Sequence, residues 1–178
     1  VKALIFKPGF LLAVYAVCAV LVSVQLISFG THPFTFPTDP VPDDIMNHPE
    51  YMNLFVGKQL TEYNNYLIFK NSFFHLLHGT NLYGIYPSEH WDFYKYSPTF
   101  ALCMGAIAYL PNVVGLSIWN LANVLVLVFA IRRLPYNNKT ICIILWFILN
   151  EALTMLSNTQ SNGLMCGLMI AAYASLEN

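Results

Sequence analysis

The stretch FLLAVYAVCAVLVSVQLISF, residues 10–29, runs for 20 residues without one charged side chain. A helix of that length rises about 30 Å, which matches the hydrocarbon core of a bilayer. Lys2 and Lys7 precede it. A cleaved leader also starts basic, but its apolar region spans about 7–15 residues and ends at a small-residue cleavage site. Here Phe29, Gly30, Thr31, His32 and Pro33 follow Ser28 and offer no such site. The run therefore predicts a transmembrane helix.

The rest of the chain agrees with that reading. Of 178 residues, 57% are hydrophobic, 15% aromatic and 10% charged, with a mean hydropathy of +0.54. Soluble domains carry about 25% charged residues, so a soluble globular enzyme is excluded. Gly and Pro number 9 and 10, too few for a collagen-like or disordered chain. A net charge of −1 leaves no basic stripe for phosphates, so no nucleic-acid partner is expected. Cys18, Cys103, Cys142 and Cys166 each lie inside an apolar run without a CxxC pair, which predicts small packing residues rather than zinc or redox chemistry. The chain starts at Val1 and stops at Leu176, Glu177 and Asn178 directly after an apolar run. It reads as an N-terminal piece of a longer protein.

Polarity is concentrated between the first span and residue 96. All five histidines (His32, His48, His75, His78 and His90) fall there, with seven of the nine acids: Asp39, Asp43, Asp44, Glu50, Glu62, Glu89 and Asp92. Pro33, Pro37, Pro40 and Pro42 predict an extended beginning. Residues 64–78 follow a 3.6-residue period, with Tyr66, Phe69, Phe73, Leu76 and Leu77 on one face and Asn64, Asn71, His75 and His78 on the other. A short amphipathic helix lying in the membrane interface is expected, with Gly79 as its C-cap.

Residues 96–131 form a charge-free run of 36, too long for one crossing and divided at Pro111 and Asn112. The fold class expected is an all-α polytopic membrane protein with about five transmembrane helices. Its parts are a first span (10–29), an outer loop (30–96), a helical hairpin (97–131), a fourth span (140–156) and a truncated fifth (163–176). The positive-inside rule places Lys2 and Lys7 in the cytoplasm and the loop outside. Counting crossings then sets Arg132, Arg133 and Lys139 outside as well, against the same rule.

The order of several short motifs resembles a known family. Glu62 stands four residues before Tyr66, and Gly79, Thr80, Asn81, Leu82 and Tyr83 follow the helix. Tyr96, Ser97, Pro98, Thr99 and Phe100 lead into the second span. Leu110-Pro111, Trp119 to Asn123 and Thr159 to Asn162 continue the pattern. Together, over roughly residues 55–176, they resemble glycosyltransferase family 87 of the GT-C superfamily, typified by membrane mannosyltransferases. The family usually has Asp at Glu62, a second Pro at Ser97 and Gly at Thr159.

The resemblance implies transfer of a hexose, mannose by default, from a polyprenyl-phosphate-linked donor to a lipid or glycan acceptor hydroxyl, with inversion, in a bacterial plasma membrane. Membrane lipids are its other partners. The polyprenyl phosphate is a good leaving group, so the reaction needs a general base for the acceptor hydroxyl rather than a strong acid. Glu62 is the expected base, with Asp43 and Asp44 as alternatives. Tyr66, His75, His78, Lys95, Tyr96, Gln160 and Asn162 are the expected donor- or substrate-binding residues. His75 and His78 stand three apart, a metal spacing, but nothing adjacent completes a ligand set, so neither metal nor cofactor is expected. Glu151 is an intramembrane acid that calls for a partner or a cavity. A transporter would scatter polar groups through its spans. The gathering of ionisable groups in one loop favours surface chemistry over that reading, and a non-catalytic membrane protein is the other alternative.

Overall fold

The computed structural model describes residues 4–33 and 49–176. Asp43 and Asp44 lie outside the described residues, as do Pro37, Pro40 and Pro42. In chain order the elements are α1 (Pro8–Phe29), β1 (Thr31–Pro33), α2 (Pro49–Phe55), β2 (Gln59–Thr61), α3 (Asn64–His78), α4 (Pro98–Ala108), α5 (Asn112–Arg132), α6 (Asn138–Ser157) and α7 (Asn162–Leu176). The described architecture is helical. Its one sheet pairs β1 with β2 antiparallel, Thr31 opposite Thr61 and Pro33 opposite Gln59, a clasp that the hydropathy pattern does not announce.

Three helices, α1, α5 and α6, are long and apolar enough to cross a membrane. The apolar helices α4 and α7 have 11 and 15 residues. At 1.5 Å per residue these reach roughly 16 and 22 Å, short of the roughly 30 Å core. Three of the five expected spans thus have crossing length among the described residues, and the other two are apolar but shorter. The physical reason in α4 is its punctuation: Ser97 caps its start, accepting from Phe100 N–H at 3.3 Å, and Pro111 closes the run behind it.

The chain divides into two compact units. One consists of residues 1–25 and 116–178. Its core stacks Leu11, Tyr15 and Ala19 of α1 with Val124, Leu127, Val128 and Ile131 of α5 and with Ile141, Cys142, Leu145 and Met155 of α6. In an apolar medium there is little hydrophobic gain in bringing helices together, so hydrogen bonds and close packing must specify the arrangement. The Tyr15 hydroxyl donates to Leu145 O at 2.6 Å. Asn120 Nδ2 donates to Ser23 Oγ at 3.0 Å. Trp119 Nε1 donates to Thr159 O at 3.0 Å. Asn123 Oδ1 accepts from Leu164 N–H at 2.9 Å, so an amide on α5 satisfies one of the free N–H groups at the start of α7. α7 also approaches α5 through Gly163 and Gly167, spaced four apart; a Cβ at Gly167 would lie 2.9 Å from both Leu127 N and Val126 C.

The other unit, residues 26–115, holds the polar loop. α3 packs along α4. Phe55 and Leu60 make a small core with Tyr51, Ile85, Trp91 and Phe93 around them. Gly79, at φ 67°, ends α3 in the left-handed conformation that glycine adopts most cheaply. Lys70 ties α3 to the turn after α4: its Nζ donates to Leu110 O at 2.9 Å and to Asn112 Oδ1 at 2.8 Å. Burial lowers the pKa of this amine. Lys70→Met removes both bonds and leaves a helix-end carbonyl without its donor. The expected cost is about 1.5–3 kcal/mol, read as a lowered midpoint of thermal unfolding in detergent.

Candidate functional site

Two of the four residues on the face of α3 expected to be wet are buried. Asn64 and His75, placed on the polar face by periodicity, are 5% and 7% exposed, whereas Leu77 of the apolar face is 57% exposed. The correction has a local cause: the segment after α3 folds back over the helix. Trp91 N–H donates to Asn64 Oδ1 at 2.9 Å, and Trp91 Nε1 reaches Thr61 O at 3.5 Å. Tyr86 stacks on His75 with ring centroids 3.8 Å apart and planes 27° apart.

Glu62 occupies the turn between β2 and α3 and is exposed. Its carboxylate forms no ion pair with another described residue, and α3 starts at Tyr63 without a side-chain cap. Tyr66, one turn on, is fully buried and faces Gly115 so closely that a Cβ there would collide with its hydroxyl. Burial pushes this phenol up to about 12, so it stays protonated at neutral pH. Lys95 is held by Asp92, Nζ to Oδ1 at 3.2 Å. Tyr96 is half-exposed, edge-on to Phe69 at 5.1 Å and stacked with Phe100 at 5.0 Å. His78 is exposed at the end of α3.

His75 and His78 do not act as a pair. His75 instead meets Glu89 and His90, two residues that the sequence reading left unassigned. His75 Nε2 stands 3.0 Å from Glu89 Oε2. One ligand atom from each of His75, Glu89 and His90 lies within 4.8 Å of the others. The turn from Tyr86 delivers Glu89 and His90 together, since both backbone N–H groups donate to Tyr86 O, at 2.8 and 3.0 Å. Burial lowers the His90 imidazole to about 4; the nearby Asp92 backbone opposes this and the neighbouring His75 adds to it. His90 is therefore neutral at pH 7. A separation of 14 and 15 residues matches no ligand-spacing pattern, and only the fold-back joins these groups.

Gln160 and Asn162 belong to the other unit. Asn162 Nδ2 donates to Gln160 Oε1 at 2.9 Å. Both line a cavity of about 410 Å³ whose walls include Leu127, Ile131, Ile148 and Ile170, with Glu151 and Thr154 among the few polar lining groups. Glu151 thus faces a cavity, the condition under which a carboxylate in an apolar helix is tolerated.

Helices of membrane-crossing length and an apolar cavity among them, with ionisable groups set apart in a connecting loop, define a helical membrane protein. Residues 93–178, which carry α4 to α7, match glycosyltransferase family 87. Over that stretch the chain is similar to that family, in agreement with the resemblance drawn from the motifs. Glu62, Tyr66, His75 and His78 precede the matched residues. No curated protein and no solved structure matches the chain.

Proposed function

We propose that the protein transfers a hexose, mannose by resemblance, from a polyprenyl-phosphate-linked donor to a lipid or glycan acceptor hydroxyl at the outer face of a cell membrane. The family match over residues 93–178 carries this reading. The reaction is a single displacement with inversion at the anomeric carbon. Glu62 takes the acceptor proton as the hydroxyl attacks, and its exposed carboxylate, in no ion pair among the described residues, supports that role. The lipid phosphate leaves with the electron pair of the broken bond, and donors near it stabilise the growing charge. Exposed His78 and Tyr96 are open to such contact, as are Gln160 and Asn162 at the cavity in their own unit. Lys95, paired with Asp92, is exposed enough to offer its remaining N–H donors to a phosphate. Buried Tyr66 and His75 serve by positioning α3 rather than by touching donor.

The test is transfer from polyprenyl-phosphate-mannose to extracted lipids by membranes containing the full-length protein. A mannosylated lipid absent from control membranes is the expected product. No product from any of several polyprenyl-linked hexoses would overturn the proposal.

A further inference from the structure

We infer that His75, Glu89 and His90 form a binding site for one divalent transition-metal ion of the zinc type. Three atoms define the site. His75 Nε2 and His90 Nδ1 are buried ring nitrogens that form no hydrogen bond. Both residues are more than nine-tenths buried. The third atom is Glu89 Oε2, 3.0 Å from His75 Nε2 but off the line that an N–H would take. A proton on one ring could satisfy one of these contacts. A cation held among the three residues would serve all of them at once.

The spacing suits that occupant. Zinc binds imidazole nitrogen at about 2.0–2.1 Å and carboxylate oxygen at about 2.0–2.2 Å, so tetrahedral ligands stand roughly 3.3–3.5 Å apart. One ligand atom from each of the three residues already lies within 4.8 Å of the others. Glu89, the most exposed of them at 38% of its side chain, is free to adjust. The rest of the cradle is fixed. Tyr86 stacks on His75 and is edge-on to His90, and its hydroxyl is anchored to Asn81 O at 2.7 Å. Two imidazoles and one carboxylate select zinc, cobalt or a similar ion over magnesium or calcium, which take oxygen ligands. Three protein ligands leave a fourth position for water or a substrate oxygen. The ion would also fasten the end of α3 to the segment that leads into α4.

The experiment uses the full-length protein in detergent, carrying a tag without histidine, stripped with EDTA and titrated with Co²⁺. One equivalent is expected to bind, with the visible absorption of a four- or five-coordinate site. Zn²⁺ should displace it, and a large excess of Mg²⁺ should not. His90→Gln and Glu89→Gln should each weaken Co²⁺ binding by roughly ten-fold or more, whereas His78→Gln should leave it unchanged. The exposed Glu89 change keeps the test decisive should a buried histidine variant fail to fold. Absence of saturable Co²⁺ binding by the parent protein, or binding unaltered by Glu89→Gln, overturns the assignment.

Discussion

Glu62→Gln is expected to lower the rate of sugar transfer by roughly 10²–10⁴ while leaving the amount of protein in the membrane unchanged. The two side chains are nearly the same size, but the amide cannot accept the acceptor's proton. Glu62 is exposed in a turn and carries no ion pair with a described residue, so the fold has little to lose. Surface substitutions of this kind move stability by about 0.5 kcal/mol or less. The loss should fall on kcat with little change in KM for the donor, because a base is needed only as the transition state forms. Glu62→Asp should retain part of the rate, since it keeps the carboxylate and shortens it by one methylene. An unaltered rate in Glu62→Gln would remove Glu62 from the chemistry and pass the role to Asp43 or Asp44, each then tested as Asn.

What the sequence made legible follows the physics of each signal. Long charge-free runs have few ways to fold, so α1, α5 and α6 are readable from composition alone. Gly79 after His78 was equally plain as a C-cap, and the structure adds Ser97 and Asn137 as N-caps. Periodicity placed the helix at residues 64–78 but misjudged its surroundings. A polar stripe on a helix looks the same whether water or another polar segment covers it, and the partners of Asn64 and His75 lie 27 and 14–15 residues away. Thr159 sits at φ 50°, a region costly for a β-branched residue, and a hydropathy pattern carries no sign of it. The spacing of Gly163 and Gly167 was visible and passed unread, although four-residue spacing of glycines is a familiar device for close helix contact.

That glycine pair sets the second large effect. Gly167→Val is expected to destabilise the helical unit by about 1–3 kcal/mol or more, the cost of overpacking a close contact. A Cβ at this position would stand 2.8 Å from Val126 Cγ1 and 2.9 Å from Val126 C and Leu127 N. A side chain can rotate away from an intruding methyl, but two of these three atoms are the backbone of α5. Relief therefore requires α7 to move off α5, and the movement strains the cap in which Asn123 Oδ1 holds Leu164 N–H at 2.9 Å. Gly105→Ala is the instructive comparison. Its added Cβ would meet Phe73 Cε2 at 2.5 Å, a shorter distance, yet all three nearest atoms belong to one aromatic ring that can pivot. Thermal unfolding in detergent should accordingly rank Gly167→Val below Gly167→Ala, and Gly167→Ala below Gly105→Ala. A Gly167→Val protein that unfolds at the parent temperature would show that α7 does not pack on α5 through this face. A midpoint lowered in the stated order would show that backbone proximity, more than side-chain volume, holds these helices together.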